Sequence, residues 1–215
     1  VNTGIANARG ASQAIISSYS GSNTTPALAD FENIGVTGVS SANITAINTF
    51  IAVMPAGDTD AQSEVQALVD AYAKVLASAN GVADSGASLS AAEFAVLGLS
   101  TVDTAGEVGL LNELIDHQAS SAVDSYNELE ALASRVTRLM GEAAGVAASP
   151  ALTASDFAAL GITGVTVENL AEVLAVIRAS ADDGSAIDTL SELQTLVTAA
   201  VVLSRQNALD IISKY

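Results

Sequence analysis

The sequence predicts an all-α protein made of three tandem three-helix repeats of about 63 residues, which together form an elongated helical array. Three observations lead to this prediction. Residues of matching chemistry recur at a spacing of 63 or 64, and apolar residues follow helical periodicity. Half of the residues are hydrophobic but only 4% are aromatic, which indicates thin cores between slender, alanine- and leucine-rich helices.

The first recurring block contains an acid, a phenylalanine and a glycine. Phe31, Phe94 and Phe157 recur at a constant spacing, each directly after an acid and shortly before a glycine. We expect a short helix here, capped by Ser90 or Thr153 and ended by a glycine with positive φ. The phenylalanines are predicted to anchor the core, the alternative being an aromatic ladder that faces a ligand. The acids and glycines of this block are Asp30, Glu93, Asp156, Gly35, Gly98 and Gly161.

The second helix of each repeat carries an apolar stripe. In the third repeat the stripe has i, i+3, i+4, i+7 spacing and comprises Leu170, Val173, Leu174 and Ile177. Ser40 and Thr166 are predicted to cap these helices in the first and third repeats. The middle repeat departs from the others in the preceding loop, over residues 99–103.

The third helix of each repeat is predicted to be the longest. It contains a second recurring block, whose three copies begin at Ser63, Asn127 and Ser191. An aspartate precedes each block by three residues, where an N-cap and the helix dipole favour an acid. These aspartates are Asp60, Asp124 and Asp188. The third repeat has no stop signal, so its last helix is predicted to run nearly to Tyr215.

The recurring blocks give the predicted boundaries of the repeats. Repeats 1, 2 and 3 cover residues 26–87, 88–149 and 150–215, and residues 1–25 are predicted to be the tail of a preceding repeat. The last prediction follows from a match at an offset of 196 between the beginning and the end of the chain. The matching residues are Arg9 and Ile15-Ile16-Ser17-Ser18-Tyr19 with Arg205 and Ile211-Ile212-Ser213-Lys214-Tyr215. Whether repeats form compact bundles or a solenoid stays open.

Acidic residues in the loops between second and third helices are the candidate metal ligands. Carboxylates at Asp58 and Asp60, and at Asp182 and Asp183, suit calcium, which prefers oxygen ligands. The loops lack the glycine and the distant glutamate of an EF-hand. Helix capping and solvation explain the same acids and are the favoured interpretation, with calcium as the alternative. No other cofactor is expected.

No catalytic residues are predicted. His117 is the single histidine and has no counterpart in the other repeats, so we interpret it as an exposed loop residue rather than a base or a metal ligand. The chain contains no cysteine, and one histidine leaves no recurring nucleophile–base pair. The glycine-bearing loop at Gly161 lacks a following lysine and a preceding strand, so it does not fit a phosphate-binding loop.

The charge of the chain excludes several classes of partner. The formal net charge of -17 comes from 24 acidic and 7 basic residues, and it repels nucleic acid and anionic lipid heads. The best apolar run, 196–203, is far shorter than the roughly 18–20 residues that span a bilayer. We therefore expect neither nucleic-acid binding nor membrane insertion. The absence of cysteine is typical of large secreted bacterial proteins.

The residues 152–166, followed by Glu168-Asn169-Leu170 and Ser191-Glu192-Leu193-Gln194, resemble tandem helical repeats of giant type I-secreted, RTX-like adhesins and related surface proteins of Gram-negative bacteria. The likeness covers residues 26–203, and it is strongest in the third repeat and weakest in the second. The resemblance implies an extracellular, cell-surface location and a spacing role. It brings no catalytic residues with it.

The expected function is therefore structural: a non-enzymatic spacer or stalk segment of an extracellular adhesin or surface protein, whose partners are neighbouring repeats. One alternative is a self-assembling subunit of an extracellular filament or surface layer, since the matching ends would fit identical subunits. A further alternative is a three-helix module that binds a host or cell-surface protein through one helix face.

Overall fold

The protein is all-α, as predicted. The computed structural model describes residues 2–83, 86, 88–180 and 184–214. Within this part of the chain there are ten α-helices, two 3-10 helices and no β-strand, apart from an isolated bridge between Asn80 and Ala119.

Short, medium and long helices alternate along the chain. The 3-10 helices span Ala56–Asp58 and Ser120–Ala122. The α-helices are α1 Asn2–Ser17, α2 Leu28–Ile34, α3 Ile44–Ile51, α4 Gln62–Ser78, α5 Ala91–Val96, α6 Ala105–Asp116, α7 Tyr126–Ala143, α8 Ala154–Ala159, α9 Leu170–Arg178 and α10 Leu190–Ile212. The last helix is the longest, at 23 residues, as the missing stop signal predicted.

The short helices α5 and α8 begin as predicted, and α2, α5 and α8 all end as predicted. The hydroxyls of Ser90 and Thr153 accept hydrogen bonds from the third residue of α5 and α8, which makes both residues N-caps. After each short helix, Gly35, Gly98 or Gly161 takes a φ between +77° and +84°. A side chain there would strain the backbone, so this turn explains why a glycine follows each of the three short helices.

The predicted caps of the long helices were wrong by one residue. The N-caps of α4 and α10 are Ala61 and Thr189, which directly follow the predicted Asp60 and Asp188. The hydroxyl of Thr189 accepts from the N–H of Glu192, and Glu64 accepts from the N–H of Ala61. The acid at the third helical position therefore takes the favourable place near the positive end of the helix dipole.

The predicted caps of the medium helices were also wrong. Asn43 and Asn169 are the N-caps of α3 and α9, three residues after the predicted Ser40 and Thr166. The asparagine oxygens accept from the backbone N–H of Ser40 and Thr166, at 2.7 and 2.8 Å. This side-chain turn occupies the residues that a simple cap would have used, so the helix starts later.

The helices form two compact parts. The first part comprises the described residues within 1–102 and 115–130, and the second those within 103–114 and 131–215. The first part contains an aromatic group in which Phe50 lies 5.0 Å from Tyr72 and 6.0 Å from Tyr126, between ring centroids. Burial, together with the charges of Asp124 and Glu128, raises the pKa of Tyr72 to about 12.

Two acids, a half-buried one and a buried one, satisfy backbone and side-chain groups in the second compact part. Glu113 accepts from the backbone N–H of Leu190 at 2.8 Å, which ties α6 to the start of α10. Glu142, only 2% exposed, accepts from the Arg178 guanidinium at 2.6 Å and from the Ala148 N–H at 2.8 Å. A buried carboxylate needs such partners, so these bonds fix α7 relative to α9.

Candidate functional site

The three long helices bury one face in the same way. This inner face consists of equivalent residues of the recurring block, and all of them are 2% exposed or less. They are Val65, Val69 and Tyr72 in α4, Leu129, Ala133 and Val136 in α7, and Leu193, Val197 and Ala200 in α10. Because the three sets agree, the inner face is the part of each long helix that packs within its own group of helices.

The face beside the inner face differs between α10 and the other two long helices. In α4 and α7, Val75 and Leu139 are fully buried. Their counterpart in α10, Leu203, is 55% exposed. Leu68 and Leu132 are 1% and 7% exposed, whereas their counterpart Leu196 is half-buried. We call residues 196, 199, 202 and 203 the outer face of α10, and it is open.

The outer face lines two shallow apolar grooves along α10. Both grooves are open to solvent and have few polar atoms in their walls. The first is lined by Ala186, Ser191, Glu192, Thr195, Leu196 and Ala199. The second is lined by Gln194, Thr195, Thr198, Ala199, Val202 and Leu203. An uncovered apolar surface of this kind is typical of a protein contact rather than of a small-molecule site.

The tail of α10, residues 205–214, is exposed on every side. Leu209, Ile211 and Ile212 are 64%, 60% and 69% exposed. The matching end of α1 is docked, because Ile16, the counterpart of Ile212, is 0% exposed. The two ends share an Arg and an Ile-Ile-Ser segment yet have opposite burial, so the tail of α10 has the residues of a docked helix without its neighbour.

The acids of the three short helices each have two roles. Asp30, Glu93 and Asp156 accept from the backbone N–H of the preceding N-cap residue, each at 2.9 Å. Each acid also accepts a hydrogen bond from, or forms an ion pair with, a side chain of the long helix before it. These contacts are Ser12 to Asp30 at 2.8 Å, Lys74 to Glu93 at 2.6 Å and Arg138 to Asp156 at 2.9 Å. We call these the acid clamps.

Two of the acid clamps, at Glu93 and Asp156, favour the charged carboxylate. The hydrogen bonds from Lys74 and Ser90 lower the pKa of Glu93 to about 2. Burial raises the pKa of Asp156, but the hydrogen bonds from Arg138 and Thr153 outweigh burial and lower it to about 2. Both clamps are therefore ionised at any pH above about 4 and hold a long helix against the following short helix.

The candidate calcium ligands Asp58 and Asp60 form no metal site with other described residues. Asp58 ends the first 3-10 helix and Asp60 follows it, and both side chains are exposed while Thr59 between them is buried. Among the described residues, no group of three or more His, Asp or Glu side chains is placed to hold a metal ion. Asp182 and Asp183 lie outside the described residues, so calcium binding stays a prediction.

The remaining candidate residues have the structural roles predicted for them: an exposed loop residue, core anchors and a helix-ending turn. His117 is exposed, directly after α6. Phe31, Phe94 and Phe157 are all 0% exposed, so they anchor the core and do not face a ligand. Gly161 carries the turn after α8.

Sequence reasoning missed a glutamine that fixes a loop in the segments predicted to be the first and third repeats. Gln66 accepts from the backbone N–H of Thr37 and donates to its carbonyl, at 2.9 and 3.1 Å. Gln194 makes the same pair of bonds with Thr163, at 2.8 and 3.1 Å. The sequence contains a signal for this contact. The residue equivalent to Gln66 and Gln194 is Glu130, whose carboxylate cannot donate a hydrogen bond, and the loop over residues 99–103 also differs from the other two loops.

Comparison of the chain with protein-family models, with curated proteins and with solved structures found no match to any of them. None of the described helices combines the length and the apolar character needed to cross a membrane.

Proposed function

We propose that the chain is a structural spacer made of tandem three-helix repeats, which belongs to an extracellular adhesin or surface protein of a bacterium and has no enzymatic activity. In this proposal the repeats cover residues 26–87, 88–149 and 150–215, and α1 ends a preceding repeat. The long helix of each repeat then continues towards the short helix of the next.

The single observation that carries the proposal is the acid clamp. The donor precedes the acid by 18 residues in Ser12–Asp30, 19 in Lys74–Glu93 and 18 in Arg138–Asp156. The same carboxylate caps its own short helix, so folding of one repeat favours attachment of the repeat before it. A spacer needs this coupling because its repeats must not separate under load.

The two faces of the long helices support the same proposal. A repeat in the interior of an array has neighbours on both sides, which accounts for the buried outer residues Val75 and Leu139. In the array, the exposed Leu203 marks the position where a further repeat would pack. The extracellular location is supported by the resemblance to secreted adhesin repeats and by the absence of cysteine.

A tandem protein tests the spacer proposal. Because Tyr215 matches Tyr19, residues 1–215 followed directly by residues 20–215 keep the distance between the end of α1 and α2, although the next phenylalanine then stands 70 residues after Phe157 instead of 63. We expect solution X-ray scattering to give a maximum dimension that grows in proportion to the number of repeats. A tandem protein that grows only as the cube root of its mass would contradict the proposal. Surface labelling of intact producing cells tests the location.

One observation favours the alternative that the chain is a self-assembling subunit of a filament or surface layer. The open outer face and the exposed tail of α10 are apolar surfaces that a second molecule could cover. The host-binding alternative requires an apolar patch on the same face of every repeat, whereas the exposed large apolar residues of the described chain concentrate on α10. We therefore keep the filament as the second candidate.

A further inference from the structure

We propose that the tail of α10 binds a second copy of this chain by taking the place of its α1. The surface involved is the α1 seat, which we define as α2 together with the 3-10 helix Ala56–Asp58. This inference rests on the proposed repeat architecture, because it treats the end of α1 and the end of α10 as equivalent segments.

The α1 seat already binds a helix of the required sequence. The end of α1 packs on α2 and on the 3-10 helix, with Ile16 fully buried. Gln13 donates to the carbonyl of Thr59 at 2.7 Å, and Asn33 donates to Ser12 at 3.1 Å. The side chain that fills the seat is thus an isoleucine, and α10 offers the same residue at Ile212.

The register of the tail places suitable groups over the seat. At the offset of 196, Val202, Arg205, Leu209 and Ile212 follow one another at helical spacings of i+3, i+4 and i+3, so they form one stripe of the helix. The counterparts of Val202 and Arg205 in α1, Ala6 and Arg9, are exposed, so we expect Leu209 and Ile212 to make the contacts with the seat.

The exchange replaces polar contacts with apolar ones. Ala208 and Leu209 stand where α1 has Ser12 and Gln13, so the bonds to Asp30 and Thr59 are lost. Asp30 keeps its bond from the Ala27 N–H. In return, Leu209 and Ile212, both more than 60% exposed in a single copy, leave water. The displaced α1 is held only through its last two turns, since residues 3–11 are exposed.

The exchange is directional. Each copy has one tail and one seat, at different places on the molecule, so the contact is heterologous and can be repeated from copy to copy. Exchange of equivalent elements is a low-cost route to association because the same kind of contact forms within and between chains. The net charge of -17 opposes association, so we expect it to strengthen with salt.

Four full-length proteins test the exchange by sedimentation equilibrium near physiological salt. The wild type is expected to associate with rising concentration, and Ile212→Asp to stay monomeric. Ile16→Asp empties the seat, so it should associate at a concentration at least about tenfold lower than the wild type. Val167→Asp adds the same charge at a residue that is already 82% exposed, and it should behave as the wild type.

A cross-linking experiment covers the outcome in which Ile16→Asp fails to fold. The chain has no cysteine, so Ala208→Cys and Asn33→Cys can be mixed as two single-cysteine proteins. Asn33 contacts Ser12, the counterpart of Ala208, so a disulfide between the two chains is expected under mild oxidation. Ala199→Cys, on the outer face, should not cross-link to Asn33→Cys.

Two results would overturn the exchange: association of Ile212→Asp at the same concentration as the wild type, or a wild type that stays monomeric while the Ala208–Asn33 cross-link does not form. Neither result touches the spacer proposal, which depends on scattering from the tandem protein. Failure of the tandem protein to lengthen would instead remove the repeat architecture on which the exchange rests.

Discussion

The end of α1 and the end of α10 carry the same Ile-Ile-Ser segment after an arginine, yet only one of them is docked. Ile16 is fully buried, whereas Ile212 is 69% exposed. The difference arises from the neighbour: α1 lies against α2, and within the described chain the tail of α10 has no helix of this kind against it. Burial at these ends therefore depends on the neighbouring helix and not on the segment itself, and an uncovered apolar segment is a candidate contact surface.

The largest effect is expected on the outer face of the long helices. Leu139 and Leu203 are the same residue at equivalent positions, 0% and 55% exposed. Leu139→Ala should lower the free energy of unfolding by about 3 kcal/mol, since it leaves a cavity, and Leu203→Ala by less than about 1 kcal/mol. Urea denaturation of both variants measures this. Equal losses would mean that the outer face of α10 is covered in solution.

A second pair of substitutions separates the docked end from the exposed one. Ile16→Ala should destabilise the docking of α1 by about 2 kcal/mol, and Ile212→Ala should change stability by less than about 0.5 kcal/mol at a concentration where the chain is monomeric. Hydrogen exchange of the α1 amides measures the loss of α1 docking in Ile16→Ala. The amides of the other helices serve as an internal control. If α1 kept its protection in Ile16→Ala, the account of the seat would be wrong.

The acid clamps provide a third, smaller contrast. Arg138 donates to Asp156 at 2.9 Å, whereas Arg205 is exposed. Replacement of Arg138 by methionine, which keeps most of the aliphatic stem, should lower stability by about 1.5 kcal/mol because Asp156 loses its main partner. Arg205→Met should have an effect within about 0.5 kcal/mol in the monomer. Thermal unfolding of the two variants side by side is sufficient.

The smallest expected effect is a pH dependence. The pKa values of Glu93 and Asp156 are lowered to about 2, so the clamps contribute stability above the ordinary values of 4.5 and 3.8, and this contribution is lost as the pH falls towards 2. The wild type should therefore lose more stability between pH 5 and pH 3 than Asp156→Asn, which has no charge to lose. The same loss in both proteins would show that Asp156 is not held ionised.

The all-α fold, the length of α10 and the turns at Gly35, Gly98 and Gly161 could be predicted from spacing, because each depends on local sequence. The caps could not. At α10, Thr189 takes the position predicted for Asp188, since the hydroxyl sits one residue closer to the first free N–H groups. At α9, an asparagine turn displaces the predicted cap. Both outcomes depend on competition between neighbouring side chains, which a spacing pattern does not resolve.

The sequence predicts only part of the candidate surface on α10. The match between the ends of α1 and α10 was found from residues alone, but their opposite burial requires coordinates. The clamps were missed because their donors lie outside the recurring blocks, although Lys74 and Arg138 are both basic and stand 64 residues apart. Long-range partners of this kind leave no periodic signal within a helix.

The most direct test of the central claim, that each long helix is covered by the repeat that follows it, is hydrogen exchange on the tail of α10 in the tandem protein, in which residues 20–215 follow Tyr215. The amides of residues 205–214 are expected to gain the protection that the end of α1 has, because a copy of α2 now lies in register beyond them. If these amides exchange as fast as in the single chain while the second copy is folded, the claim is contradicted.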